Sequence, residues 1–139
     1  MRAFREALIL LAAAAAPATL AICLHPQLAD RARAGLEPGA VRPVEVRSWH
    51  DDVLWIDGRS AEEFARAHIP GALPLEEARF SDQLGPVVAA WKSGQKIVVY
   101  CSTVSCSTSK SLAQQLRDAG FTDVYHLHGG WEVWQAATQ

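Results

Sequence analysis

The sequence has little that is typical of a nucleic-acid-binding, disulfide-stapled or metal-binding protein. Its 139 residues carry 13 Lys and Arg against 15 Asp and Glu, and a net charge of −2 gives no basis for binding nucleic acid. Its three cysteines, Cys23, Cys101 and Cys106, are too few for a disulfide scaffold and lack the C-x-x-C spacing of a zinc site. There is also no internal repeat and no glycine-rich phosphate loop. We therefore expect one domain without metal or cofactor.

Charge is also missing from one long stretch near the N-terminus. Residues 8–24 contain no charged side chain, but seventeen residues are at the low edge for a membrane-spanning helix, which needs about 20. The same stretch fits a secretory signal, with Ala16-Pro17-Ala18 as an A-x-A cleavage site. Residues 1–28 are thus interpreted as either a signal peptide or a membrane anchor, formed by an N-terminal hydrophobic helix.

Both interpretations place the rest of the chain at or beyond a membrane. Arg2 and Arg5 precede the apolar stretch and favour a cytoplasmic N-terminus, so the domain is expected on the extracytoplasmic, periplasmic side. Residues 29–43 are rich in Arg, Ala, Gly and Pro without a period, and we interpret them as a linker. Residues 44–139 then form the domain.

The most informative stretch runs from Lys96 to Gly120. Residues 97–100, Ile-Val-Val-Tyr, form the continuous β-branched and aromatic run of a strand that is covered on both faces. An amphipathic helix is predicted after it, with Leu112, Ala113, Leu116 and Ala119 on one face and Gly120 at the C′ position. Cys101 is the first residue after the strand, where parallel α/β sheets bind their ligands.

This placement predicts a reactive thiol. A helix that begins near Ser107 directs its N–H groups and partial positive charge at the preceding loop, which favours a thiolate at Cys101. The small loop residues can surround one sulfur or a small anion with backbone amides; they are Ser102, Thr103, Val104, Ser105, Cys106 and Ser107. The alternative is an ordinary buried cysteine at a strand end.

Further strands and helices are predicted on both sides of this stretch. Strands are expected at Val44–Val46 (an edge strand), Val53–Ile56 and Val124–Leu127, and a terminal helix at 131–137. Ser60 and Glu63 form a capping box that starts a short helix. Apolar residues from Phe80 to Trp91 have helical spacing, but Pro86 predicts two short helices rather than one. The alternation of strands and helices indicates a parallel α/β sheet with helices on both faces.

Several other polar residues are candidates for supporting roles. Asp57 and Arg59 lie at a strand end, and we expect them to form an ion pair or to fix a turn. His68 is a candidate base for Cys101, although a structural role in the turn that follows is favoured over that one. His126 and His128 have the spacing of two ligands on one strand face, but a third ligand is lacking nearby, so no metal is expected.

Five segments together resemble the rhodanese superfamily. They are Asp57-Gly58-Arg59, Glu63-Phe64, His68-Ile69-Pro70-Gly71-Ala72, Val98-Val99-Tyr100-Cys101 and Gly129-Gly130-Trp131, in matching order from about Val44 to Trp134. The resemblance implies a sulfurtransferase in which Cys101 takes a sulfane sulfur and holds it as a persulfide, within an active-site loop from Cys101 to Cys106. Typical donors would be thiosulfate or a protein persulfide, and a thiol or cyanide would be the acceptor.

The loop departs from the family pattern in two ways. It contains no Lys or Arg to hold thiosulfate, and Lys110 lies one helical turn further on, so a neutral or protein-bound donor gains weight. Related phosphatases have an Arg six residues after the cysteine, and Ser107 at that position argues against a phosphatase. The second thiol, Cys106, is either a small packing residue or a resolving thiol that forms a disulfide with Cys101. A thiol redox module and a non-catalytic binding domain therefore stay open as alternatives.

Overall fold

The sheet of this protein is parallel throughout and lies between helices. The structure, a computed structural model, describes residues 35–49, 52–103 and 107–138. The strands are β1 (Ala40–Val41), β2 (Val53–Asp57), β3 (Leu73–Pro74), β4 (Lys96–Tyr100) and β5 (Val124–Leu127), in the order β1-β5-β4-β2-β3. The helices are α1 (Pro43–Arg47), α2 (Ala61–Arg66), α3 (Phe80–Ala90), α4 (Thr108–Asp118) and α5 (Gly130–Thr138), with a 3-10 turn at Glu77–Arg79. The predicted α/β class is confirmed.

The central strand β4 separates two hydrophobic cores. Successive side chains of a strand point to opposite faces of the sheet, so Ile97 and Val99 pack on one face, and Val98 and Tyr100 on the other. The first core contains Leu112 and Leu116 of α4 together with Val87 of α3, and the second contains Val46 of α1 with Trp131 and Trp134 of α5. Burial on both faces explains the uninterrupted apolar run of this strand.

Helix α4 ends as its sequence predicts. Gly120 has φ +99°, a left-handed conformation that glycine adopts at low cost. Its N–H donates to the carbonyl of Arg117, and the N–H of Phe121 donates to that of Leu116 at 3.1 Å. These two bonds form a Schellman motif, which satisfies carbonyls at the helix end.

The predicted edge strand at Val44–Val46 is wrong, because these residues belong to α1. Pro43 occupies the first turn of that helix, and the Glu45 carboxylate accepts a hydrogen bond from the N–H of Arg42 at 2.9 Å. Val46 packs into the second core. The edge strand is instead β1, which lies inside the segment 29–43 that we interpreted as a linker, so regular structure begins before residue 44.

The predicted break at Pro86 is also wrong. Helix α3 continues through Pro86 from Phe80 to Ala90. A proline inside a helix removes one backbone hydrogen bond, but a continuous helix keeps Phe80, Leu84 and Val87 together against the first core. Burial of that apolar face therefore outweighs the local preference for a break.

The apolar stretch 8–24 and the rest of residues 1–28 lie outside the described residues. Among the helices that the structure describes, none combines the length and apolar character needed to cross a membrane. The N-terminal hydrophobic helix therefore stays a prediction from the sequence.

Candidate active site

Cys101 directly follows β4 at the carboxyl edge of the sheet, and its side chain is buried, with 2% of the residue exposed. Its Sγ lies 3.4 Å from Oγ of Ser109, a buried residue in the first turn of α4. It also lies 3.6 Å from the backbone oxygen of Thr103. The sulfur is therefore located between the end of β4 and the beginning of α4.

The surroundings of this sulfur suit both of its protonation states. The carbonyl of Thr103 can accept a hydrogen bond only from the protonated thiol. The Ser109 hydroxyl can accept from the thiol or, after rotation, donate to the thiolate. The N-terminus of α4, with Ser107 at the N-cap, adds a partial positive charge that favours the thiolate. These dipoles act strongly because the sulfur is shielded from water.

The N-terminus of α5 holds the backbone of the same loop. The N–H of Trp131 donates to the carbonyl of Cys101 at 2.8 Å, and the N–H of Glu132 donates to that of Ser102 at 3.3 Å. Gly130 has φ +58°, and a Cβ at this position would collide with the Cys101 carbonyl. Glycine therefore allows both the turn and the close approach of helix and loop.

Asp57 and Arg59 form a buried ion pair at the end of the adjacent strand β2. The Arg59 side chain donates to Oδ1 of Asp57 through Nε at 2.9 Å and to Oδ2 through Nη2 at 2.6 Å. Nη2 also donates to the carbonyl of Ala67, and the guanidinium lies over the rings of Trp131 and Tyr100 at 4.6 and 5.4 Å. The positive charge of Arg59 is therefore paired and covered within the protein.

Tyr100 links this ion pair to the strand that carries the cysteine. Its hydroxyl donates to Oδ2 of Asp57 at 2.7 Å and accepts from the N–H of Ile69 at 3.2 Å. Burial, together with the hydrogen bond to the Asp57 carboxylate, raises the pKa of Tyr100. Burial alone would lower the pKa of Arg59, but the Asp57 carboxylate more than compensates and raises it. Arg59 therefore stays charged and the Tyr100 hydroxyl stays protonated at neutral pH.

His68 is placed in the turn after α2. Its Nδ1 lies 2.9 Å from the carbonyl oxygen of Phe64, and its exposed ring stacks on the Phe64 ring at 4.0 Å. These contacts fix the turn, which is the structural role that the sequence favoured over a base for Cys101.

Glu63 makes a contact with the loop that the sequence did not indicate. As predicted, it forms a capping box with Ser60 at the start of α2. Its Oε1 also accepts a hydrogen bond from the hydroxyl of Ser102 at 2.9 Å. This bond, supported by those from Ser60 and by the charge of Arg59, lowers the pKa of Glu63. The residue next to Cys101 is therefore bonded to a carboxylate.

Sequence reasoning also missed Ser109 and the contacts made by Gly130. A signal for Ser109 was present, because it lies three, four and seven residues before Leu112, Ala113 and Leu116 on the apolar face of α4. The Gly130 contact joins residues that are distant in the chain and leaves no such local pattern.

The remaining predicted loop residues are placed only in part. Ser102 and Thr103 are half-buried and Ser107 is exposed, whereas Val104, Ser105 and Cys106 lie outside the described residues. His126 is buried and His128 is exposed. Within the described ranges, no cluster of three or more His, Cys, Asp or Glu side chains could hold a metal ion.

Comparisons with known proteins identify this arrangement. The family model of the Rhodanese-like domain matches residues 41–137. An uncharacterized protein of Synechocystis, slr1261, is 36% identical over 63% of this chain and 45% of its own length. A probable adenylyltransferase/sulfurtransferase of Mycobacterium tuberculosis, MoeZ, is 30% identical over 81% of this chain and 28% of its own length. The chain thus spans less than half of these two relatives.

A shorter relative and a solved structure agree with that match. The thiosulfate sulfurtransferase GlpE of Pseudomonas savastanoi is 33% identical over 58% of this chain and 71% of its own length. The crystal structure of the BH2092 protein of Bacillus halodurans has a TM-score of 0.62 at 20% identity, over 82% of this chain and 83% of that one, and supports the fold. With the family model covering most of the chain, this protein belongs to the rhodanese-like family.

Proposed function

We propose that this protein is a sulfurtransferase that carries sulfane sulfur as a persulfide on Cys101. The observation that carries the proposal is the position of the Cys101 sulfur, at the end of β4 and 3.4 Å from Ser109 at the start of α4. Sulfurtransferases among the relatives, such as GlpE and MoeZ, support this class of activity.

The transfer needs one nucleophile and no external oxidant. The Cys101 thiolate attacks the outer sulfur of a donor, R–S–SH, and the sulfur–sulfur bond of the donor breaks. The donor thiolate leaves with the electron pair and takes up a proton, while Cys101 becomes a persulfide. An acceptor thiolate or cyanide then attacks the outer sulfur and releases the Cys101 thiolate.

The described residues assist these steps in different ways. The Ser109 hydroxyl and the N-terminus of α4 stabilise negative charge on the sulfur before and after transfer. The α5 N–H groups that hold the carbonyls of Cys101 and Ser102 keep the loop in place. The Asp57–Arg59 pair and Tyr100 hold the ends of β2 and β4 together.

A sulfur-transfer assay on Cys101→Ser tests the proposal, with Cys106→Ser as the companion variant. We expect Cys101→Ser to abolish turnover and Cys106→Ser to retain it, because one thiol is sufficient for the cycle. Undiminished turnover in Cys101→Ser would exclude this nucleophile. Loss of turnover in both variants, with a Cys101–Cys106 disulfide found by mass spectrometry, would favour a thiol redox module instead.

We further propose that residues 8–24 bring the domain to a membrane, on its extracytoplasmic side. The support is the uncharged stretch and the preceding Arg2 and Arg5. Cell fractionation of the full chain, with protease added to intact and to lysed cells, checks it. Recovery in the cytosolic fraction, protected from protease until lysis, would contradict this part of the proposal.

A further inference from the structure

We infer that Glu63 selects the sulfur donor by charge, so that the site disfavours thiosulfate and favours persulfides with positive charge near the sulfane sulfur. The inference rests on the proposed function, because it concerns the donor for Cys101. It starts from the hydrogen bond of 2.9 Å between the Glu63 carboxylate and the hydroxyl of Ser102, the residue after the nucleophile.

Glu63 lies close enough to act on a donor at the sulfur. The Glu63 carboxylate contacts the hydroxyl of the residue next to Cys101. Because consecutive Cα atoms are about 3.8 Å apart, the carboxylate lies within about 12 Å of the Cys101 sulfur. The hydrogen bond from Ser102 is the main reason that the pKa of Glu63 is lowered, and the group is therefore ionised at neutral pH. A dianion that approaches Cys101 meets this negative charge at a distance where screening is incomplete.

Among the described residues, two cations of elements that adjoin this loop, Arg59 and Lys110, are already paired. Arg59 is bonded to Asp57 through two nitrogens and is covered by the Trp131 ring. Lys110, in the first turn of α4, forms an ion pair with Glu37 at 2.8 Å. Residues 101–107 contain no Lys or Arg. The loop sequence therefore supplies no positive side chain to balance the two negative charges of thiosulfate.

A positively charged persulfide fits this arrangement better. Its sulfane sulfur reacts with Cys101 by the same displacement, and its leaving thiolate takes the electron pair as before. A cationic group beside that sulfur is attracted by Glu63 rather than repelled. The favoured donor class is therefore a persulfide flanked by amines or basic side chains.

The test compares Glu63→Gln with Glu62→Gln. Glutamine still accepts the Ser102 hydrogen bond and still suits the capping box, so only charge is removed. Glu62 lies next to Glu63 on α2 and pairs with exposed Arg66, so its substitution changes the net charge equally at another position. The rate of Cys101 loading is measured by intact mass with thiosulfate and with cysteamine persulfide as probes.

We expect Glu63→Gln to load from thiosulfate about threefold to tenfold faster and from cysteamine persulfide slower, with Glu62→Gln like the wild type. In the wild type, high salt should bring the two loading rates closer together; this arm does not depend on any variant being stable. Equal changes for both probes, or equal effects of the two substitutions, would overturn the inference and leave the proposed function standing. Loading from neither probe would overturn the inference, and loading of the wild type from no donor at all would overturn the proposed function as well.

Discussion

Two neighbouring loops at the carboxyl edge of the sheet use charge in opposite ways. At the first of them, Asp57 ends β2 and Arg59 lies in the loop that follows, and the two form a buried ion pair. The loop after β4 begins with Cys101, Ser102 and Thr103, which have no charged side chain. The Asp57–Arg59 pair therefore supports the structure, whereas backbone and hydroxyl dipoles surround the sulfur.

The comparison of the two loops shows that a position at a strand end does not by itself make a residue catalytic. Both loops lie at the edge where α/β sheets place their active sites. Of the two, only the loop after β4 combines a nucleophile with the start of a long helix. The ends of the two strands are joined by the hydrogen bond from Tyr100 to Asp57. One loop supports the other.

The largest effect is expected from breaking the buried ion pair. Arg59→Leu leaves the Asp57 carboxylate buried and unpaired, which should destabilise the fold by about 3–5 kcal/mol. The control is Arg66→Leu, because Arg66 and Glu62 are exposed and their pair should contribute within about 1 kcal/mol. Urea unfolding measures both, and similar losses would contradict the supporting role of the pair.

A smaller effect is expected where α5 contacts the Cys101 loop. Gly130→Ala places an alanine in a left-handed conformation and makes its Cβ collide with the Cys101 carbonyl. The loss of unfolding free energy should therefore exceed the roughly 1–2 kcal/mol that a left-handed side chain costs alone. Gly94→Ala, at φ +82° with open space around it, isolates that conformational part. If both substitutions reduce the unfolding free energy equally, close approach of α5 to the loop is not important for stability.

The link between the two loops should contribute somewhat less. Tyr100→Phe removes the hydrogen bond to Asp57 and leaves the Ile69 N–H without its partner, for an expected loss of about 1–3 kcal/mol. Tyr125→Phe is the matched control, since the Tyr125 ring packs on Trp49. A neutral Tyr100→Phe in urea unfolding would show that the loops are held independently.

A substitution at Ser109 tests whether the hydroxyl beside the Cys101 sulfur stabilises the thiolate. Ser109→Ala removes a donor to the Cys101 thiolate, so sulfur transfer at neutral pH should fall about tenfold, equivalent to about 1.4 kcal/mol. The pH profile of Cys101 alkylation should move to higher pH. Ser107→Ala, at an exposed N-cap without a side-chain cap bond, is the control. An unchanged alkylation profile in Ser109→Ala would rule out this contribution.

The smallest effect concerns His126 on β5, away from both loops. Burial lowers the pKa of His126, and its Nδ1 is buried without a hydrogen-bond partner among the described residues. Below the unfolded-state pKa of about 6.5, the unfolded chain binds a proton that the folded protein does not. The free energy of unfolding therefore falls as the pH is lowered, until the pKa of the folded state is reached. In urea unfolding, the His126→Gln variant should lose less unfolding free energy than the wild type when the pH is lowered. An identical pH dependence of the two proteins would contradict this.

The sequence was sufficient for elements with strong local patterns. The β-branched run of β4, the apolar face of α4 and Gly120 predicted the strand, the helix and its end close to where they lie. For Asp57 and Arg59 the sequence indicated either an ion pair or a turn-fixing role, and the structure has the ion pair. The position of Cys101 at the end of a strand could also be predicted from the sequence, since it depends on neighbouring residues in the chain.

Features that depend on distant residues could not be predicted. The continuity of α3 through Pro86 depends on burial of Val87 in the first core rather than on local preference. The contacts of Ser102 with Glu63 and of Cys101 with Trp131 join segments about 30 to 40 residues apart in the chain. These are tertiary contacts, and sequence periodicity carries no information about them.

The most direct test of the account is the intact mass of the protein after treatment with a persulfide donor. We predict a gain of about 32 Da, one sulfur atom, on Cys101. This gain should disappear on addition of cyanide and be absent in Cys101→Ser. A wild-type protein that gains no sulfur from any donor, or that gains it equally when Cys101 is replaced, would contradict the central claim.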